Sequence, residues 1–203
     1  MKVFAITGLL ASGKTTAANY LKEQGFPILD IDNVSKIVID KNTEEGKDGF
    51  AKVYRAFGSG VLDKLGNLDR GALRKRLAVN PHEKEVLENI MNPLMHNYVR
   101  KVMTQWKSDN IQLGFFEGAR IFEPGFDKIV AGVIRVTASE NERIKRMVKR
   151  DSMGKDEVTA MITAQHPGMF DRFCKVEWKN DKSLANLYKQ IDAFVEQKLA
   201  EGV

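Results

Sequence analysis

Two glycines with four residues between them, and a lysine and a threonine directly after the second, are the residue types that can hold a polyphosphate. The stretch Gly8-Leu9-Leu10-Ala11-Ser12-Gly13-Lys14-Thr15 meets the pattern G-x-x-x-x-G-K-[ST] at every fixed position. Gly8 and Gly13 permit backbone angles that turn successive N–H groups inward, toward phosphate oxygens. Lys14 carries a mobile point charge to the outer phosphates, and the Thr15 hydroxyl suits Mg²⁺. The candidate nucleotide-binding residues are therefore Gly8, Ala11, Ser12, Gly13, Lys14, Thr15 and Thr16, with Thr15 as the metal ligand. The bland alternative is a glycine-containing turn with an incidental lysine. Against it stands the context: an apolar, β-prone run from Val3 to Ile6 leads in, and helix-forming residues follow from Thr16, offering a positive dipole end to an anion. The stretch is read as a nucleoside triphosphate site.

A second group of candidates is acidic. Phe26-Pro-Ile-Leu-Asp30-Ile-Asp32-Asn33 reads as a short strand running out into two carboxylates, which share a face if the chain stays extended. At the carboxyl end of a strand such a group lines the ligand crevice of an open α/β sheet, where it can deprotonate an acceptor hydroxyl. The same residues can instead cap a helix beginning near Val34, and the residues alone leave both roles open for Asp32. A third group is basic. Arg143, Arg146 and Arg150 fall at i, i+3 and i+7 on one helix face, with Ile144, Met147 and Val148 on another. That face is either simply solvated or supplies charge to a transferred phosphoryl group. Glu117 or Glu123 could reach Mg²⁺ through water, and neither is expected as a direct ligand. Cys174 is alone, which excludes an internal disulfide and suits a reducing compartment as a buried spectator thiol. His82, His96 and His166 lack the spacing of a zinc site.

The elements that must position these groups follow from patterning. A chain of 203 residues with 43% hydrophobic content can form one core, and no apolar run is long enough to span a bilayer. The net charge of +5 suits polyphosphate ligands and is too weak to argue for nucleic acid. The apolar start is broken at Thr7 and Gly8, so a secretory leader is not expected. Strands are expected at the N-terminus, at 26–30, at 111–117 and at 128–136, with a shorter one near Val176–Trp178 that ends at Asn180-Asp181. Residues 34–107 read as helical: Val34–Lys41, Glu44–Phe57, a helix over 68–77 capped by Asp69, and a long stretch from Pro81 that Pro93 should break or kink. So long a helical excursion is a candidate acceptor-binding subdomain or lid, with a purely structural layer as the alternative. Ser139 and Glu142 form a capping box for the basic helix, and residues 154–165 make a second helix, so 139–166 reads as a lid-like pair. The last helix shows an apolar stripe of Leu184, Leu187, Ile191, Phe194 and Val195.

With these pieces in order, the sequence resembles the dephospho-CoA kinase family. The likeness rests on the phosphate loop at Gly8–Thr16, on Asp30-Ile-Asp32-Asn-Val-Ser-Lys36, which is similar to D-A-D-x-x-A-R, and on Phe57-Gly58 followed by Gly66-Asn-Leu-Asp-Arg-Gly-Ala-Leu73, similar to F-G … G-x-L-D-R-x-x-L. It continues through Arg146-Met-Val-Lys-Arg150-Asp151 to Gln165, similar to R-x-x-x-R-D … Q, and Asn180 before the terminal helix. Departures are visible too. The loop has Leu9 and Ala11 where the family commonly has glycine, and Asn92-Pro93 replaces its H-P pair.

The resemblance implies an α/β P-loop kinase fold of three layers with a five-stranded parallel sheet, a helical acceptor-binding subdomain and a lid, all in a single domain 1–203. It implies transfer of the ATP γ-phosphoryl group, with Mg²⁺, to the ribose 3′-hydroxyl of dephospho-CoA, the final step of coenzyme A biosynthesis. By position it makes Asp32 the base, gives Lys14, Arg146 and Arg150 to the transferred phosphoryl group, places Asn180 near the adenine, and makes Arg70 an acceptor contact. ATP and dephospho-CoA are then the partners, with no nucleic acid, membrane or obligate protein partner, in the cytoplasm. The alternatives from the residues are a related small-molecule or nucleoside monophosphate kinase, and an ATP-binding pseudokinase or regulatory protein.

Overall fold

The computed structural model describes residues 1–118, 128–165 and 173–202. They fall into two compact units, Met1–Ile31 with Asn110–Val203 and the contiguous stretch Asp32–Asp109.

The first unit is built on five parallel strands in the order β2-β3-β1-β4-β5: β1 (Lys2–Thr7), β2 (Ile28–Asp30), β3 (Leu113–Glu117), β4 (Gly132–Thr137) and β5 (Cys174–Lys179). β1 lies in the middle, with Ile6 opposite both Glu117 and Ile134. The period-two alternation puts Phe4, Ile6, Leu113, Phe115, Ile134, Val136 and Trp178 on one face of the sheet. There they bury against α1 (Lys14–Glu23) and the terminal helix, Leu184–Ala200. Phe194 meets Phe4 and Trp178 edge-to-face at centroid separations of 5.0 and 5.6 Å, an arrangement worth about 0.5–1.5 kcal/mol per pair beyond burial.

Several expectations shift here. The fourth strand begins at Gly132, not Lys128. Cys174 is half-buried at the start of the edge strand rather than enclosed. Leu184 is exposed because it sits in the first turn, directly after the Ser183 cap; Leu187, Ile191, Phe194 and Val195 are the buried stripe.

The second unit is helical: α2 (Ile31–Ile37, its first residue still in the first unit), α3 (Lys47–Phe57), α4 (Arg70–Val79) and α5 (Pro81–Ser108), with a short 3₁₀ turn at Ser59–Val61. Asp69 caps α4, accepting from the amides of Gly71 and Ala72 at 2.8 and 3.0 Å. Asn80 caps α5 ahead of Pro81, whose missing N–H is an orphan there anyway. Of the two outcomes expected at Pro93, a break or a kink, the break does not occur: α5 runs through it. It sits on the exposed side, while Leu87, Met91, Met95 and Val99 on the other side are buried, so packing holds the helix across the missing hydrogen bond. Arg76 closes the α4–α5 corner, donating to both carboxylate oxygens of Glu83 at 2.5 and 2.6 Å and to the carbonyl of Phe57 at 3.0 Å.

Back in the first unit, α6 (Glu140–Asp151) and α7 (Lys155–Thr163) form a helical hairpin, and the terminal helix is α8. The expected capping box at Ser139 is absent. The Ser139 amide donates to the Asp181 carboxylate, and Glu142 is engaged with Lys145, so neither half of the box forms.

Candidate active site

The strand–loop–helix that the motif requires is present: β1 ends at Thr7, the loop follows, and α1 starts at Lys14. Gly8 has φ +154°, and a Cβ there would lie 2.3 Å from the Val136 carbonyl oxygen, so the loop can leave β1 only through a glycine. Gly13 has φ +104° and serves as the N-cap of α1 with no side chain in the way of the helix amides. Between them Ala11 takes a left-handed conformation at φ +57°, where glycine would be unstrained and alanine stores about 1 kcal/mol. The Lys14 ammonium curls over the loop, donating to the carbonyls of Gly8 and Leu9 at 2.9 and 3.2 Å. The exposed Thr15 hydroxyl, in the first turn of α1, donates to Glu117 Oε1 at the end of β3 at 3.1 Å.

The basic helix is not a solvated face along its length. Arg143 is 5% exposed and donates to Gln165 Oε1 at 3.1 Å; its burial pulls the guanidinium below its ordinary pKa. Arg146 reaches the loop itself, with Nη1 3.5 and 3.4 Å from the carbonyls of Ala11 and Ser12 and Nη2 2.6 Å from that of Asn180. Only Arg150 is exposed, and it makes a two-pronged pair at 2.7 Å with Asp151, whose hydrogen bonds hold the Asp151 carboxyl below its usual range. Asn180 is 3% exposed, immediately beyond β5, and its Nδ2 donates to the Ser12 carbonyl at 2.8 Å. Its side chain is thus turned into the base of the phosphate loop.

A cavity of about 650 Å³ opens over this arrangement, lined by Leu10, Ala11, Gly13, Lys14, Thr15 and Thr16 of the loop and by Arg146, Lys149 and Arg150 of α6. Loop amides, a helix N-terminus and four cationic side chains converge on it, which is the chemistry of a polyphosphate cradle. Ser12 lies beneath, 1% exposed. Asp30 ends β2; Asp32 lies inside the first turn of α2, not in extended chain and not ahead of the helix as a cap, because the helix already starts at Ile31. Its carbonyl accepts from Ser35 Oγ at 2.6 Å. Arg70 opens α4 and donates to the Lys36 carbonyl at 3.3 Å. Asp32 and Arg70 both belong to the second unit.

The dephospho-CoA kinase family model matches residues 2–185. The chain belongs to the dephospho-CoA kinase family. It is 28% identical to the dephospho-CoA kinase of Fusobacterium nucleatum subsp. nucleatum over 96% of this chain and 97% of that one. Among solved structures it is similar to TT1252 from Thermus thermophilus, with a TM-score of 0.79, 26% identity and 97% of each chain covered. The dephospho-CoA kinase from Campylobacter jejuni shares the fold at a TM-score of 0.69 and 23% identity, over 100% of this chain and 99% of that one. The five-stranded parallel sheet with its phosphate loop is accordingly a P-loop kinase fold.

Within this member of the dephospho-CoA kinase family, two contacts escaped sequence reasoning. Helical periodicity places arginines on one face and cannot tell which neighbour covers that face, so the burial of Arg143 was not legible. The Glu117–Thr15 contact joins residues 102 apart and depends on the β1–β3 register, which no local signal encodes. The stretches 119–127 and 166–172, which hold Arg120, Glu123 and His166, lie outside the described residues.

Proposed function

We propose that the chain phosphorylates the ribose 3′-hydroxyl of dephospho-CoA from ATP, with the loop–α6 cavity as the donor site and residues 34–107 as the acceptor-binding subdomain. Family membership carries the reaction; the convergence of Lys14, Thr15, Arg146 and Arg150 on one polyphosphate-sized cavity carries the donor site.

In this reading the 3′-oxygen attacks the γ-phosphorus, the bond to the β-phosphate oxygen breaks, and ADP leaves. Asp32 accepts the hydroxyl proton. Gly8, Ala11, Ser12, Gly13 and Thr16 present the loop that wraps the phosphates. Lys14 exchanges its bonds to the Gly8 and Leu9 carbonyls for phosphate oxygens and follows the charge as it moves to the bridging oxygen. Arg146 and Arg150 neutralise the equatorial oxygens from the α6 side, and 139–166 acts as the lid. Arg70 contributes a fixed charge to acceptor binding. Asn180, packed on Ser12, supports the edge of the site nearest the adenine.

Mg²⁺ fits the donor set. The Thr15 hydroxyl and the Glu117 carboxylate are hard oxygen ligands within 3.1 Å of each other, and among the described residues no group of three or more His, Cys, Asp or Glu forms an all-protein cage. Thr15 would bind the ion directly and Glu117 through water, and the ion would neutralise charge between the outer phosphates.

Among the described residues no helix is long and apolar enough to cross a membrane. A cytoplasmic place, with small-molecule substrates only and no nucleic acid or obligate protein partner, is part of the proposal.

The test is an ADP-release assay with dephospho-CoA and a panel of nucleoside monophosphates. Turnover with dephospho-CoA alone is expected. Turnover only with a monophosphate overturns the acceptor, and ATP binding without turnover on any acceptor overturns the catalytic reading.

A further inference from the structure

The outer arm of the phosphate loop, Leu10-Ala11, is held from outside the loop. Its side chains pack on the apolar interior of the α6–α7 hairpin, formed by Ile144, Met147, Val158 and Ile162. The Leu10 amide donates to Gln165 Oε1 at 3.0 Å, and the same oxygen accepts from buried Arg143 at 3.1 Å. Both partners are donors, so the amide orientation of Gln165 is fixed with oxygen inward. On the other side of Ala11, its carbonyl faces Arg146 at 3.5 Å. Ala11 itself is the strained residue, at φ +57°.

We propose that Gln165 is a positioning residue for nucleotide binding: its side-chain oxygen, oriented by Arg143, pins the Leu10 amide and so holds the strained Leu10-Ala11 arm in its phosphate-binding shape. A left-handed alanine persists only where surrounding contacts over-determine it. Here those contacts come from the hairpin, so the lid pair and the loop's outer arm act as one body. The Leu10 N–H is also withdrawn from the set of amides left for phosphate, which narrows the cradle to the residues after it. This inference rests on the donor-site reading above and assigns a specific device to it.

The experiment uses the full chain with three variants: Gln165→Met, of similar length with no acceptor oxygen; Gln165→Glu, which keeps that oxygen; and Gln165→Asn, which withdraws it by one methylene. Each is titrated with a fluorescent ATP analogue, and its ATP KM, dephospho-CoA KM, kcat and melting temperature are measured. Q165M is expected to weaken the analogue and raise the ATP KM by about tenfold, with the dephospho-CoA KM within about twofold of wild type. Q165E is expected to stay within about threefold of wild type, and Q165N to lose part of the affinity. Combining Gln165→Met with Arg143→Met should lose less than the sum of the two, since both act through one oxygen.

Native analogue affinity in Q165M, or in Q165N should Q165M fail to fold, overturns the proposal. So does a Q165E that falls as far as Q165M, and so does a lowered melting temperature with an unmoved ATP KM. If wild type turns over no dephospho-CoA, the functional reading falls while the analogue titration still decides this one.

Discussion

Gly13 and Asn180 stand so close that no side chain fits between them. A Cβ on Gly13 would lie 2.1 Å from Asn180 Nδ2, the same nitrogen that donates to the Ser12 carbonyl at 2.8 Å. The second glycine of the phosphate loop therefore answers to a residue 167 positions away. Gly13→Ala should abolish measurable binding of an ATP analogue while leaving the far-ultraviolet dichroism of the sheet intact. Asn180→Ala makes room but leaves the Ser12 carbonyl with Arg146 Nη1 at 3.4 Å alone, at about 1 kcal/mol of stability for the lost bond. In the double variant the clash is gone, so thermal melts should show a combined loss smaller than the two single losses added.

Asp32→Asn should lower kcat by about 10²–10⁴ and leave the ATP-analogue affinity within about twofold of wild type, because in the proposed reaction it removes a proton acceptor and no phosphate contact. Steady-state kinetics with dephospho-CoA beside an equilibrium titration separates the two parameters. An unchanged kcat would reduce Asp32 to a helix first-turn residue.

Arg150→Ala should lower kcat by about 10²-fold, the scale of one lost charge-stabilising donor in a phosphoryl-transfer site. The variant also strands Asp151, whose carboxylate now has Arg150 on both oxygens at 2.7 Å. A normal rate at saturating ATP would return the exposed end of α6 to the role of a solvated face.

The Arg76 guanidinium lowers the Glu83 carboxyl below its ordinary pKa. A depressed carboxylate favours the folded state above the unfolded pKa, and that contribution disappears as pH falls through the lowered folded value. Glu83→Gln should therefore melt below wild type at pH 7, and the gap between them should close on acidification. A gap that stays constant from pH 7 to pH 3 would show the pair to be electrostatically idle.

How much of this was readable in advance depends on whether the signal is local. The phosphate loop, the Asp69 cap and the Pro81 start are short-range patterns, and the structure repeats them. Ser139 carried an equally good local pattern and failed, because a carboxylate 42 residues on, Asp181, takes its amide. The rule that expects a break or a kink at Pro93 considers backbone alone, whereas side-chain burial along α5 keeps the helix continuous there. Arg143 and Arg150 share one helix face in sequence, yet one is enclosed beside Gln165 and the other lies in solvent. The resemblance to the family marked Gln165 as part of a motif; only the fold assigns it to the Leu10 amide.

The central place of β1 has a consequence for how the chain is made. Its neighbours on both sides, Leu113–Glu117 and Gly132–Thr137, are synthesised more than a hundred residues later. During translation β1 can gain β3 only after Glu117 is made and β4 only after Thr137, whereas the helices of Asp32–Asp109 come from one continuous stretch and can assemble as soon as it clears the ribosome. The phosphate-loop segment is thus synthesised well before the strands that flank its own. Ribosome-bound chains halted before residue 137 should therefore bind no nucleotide analogue.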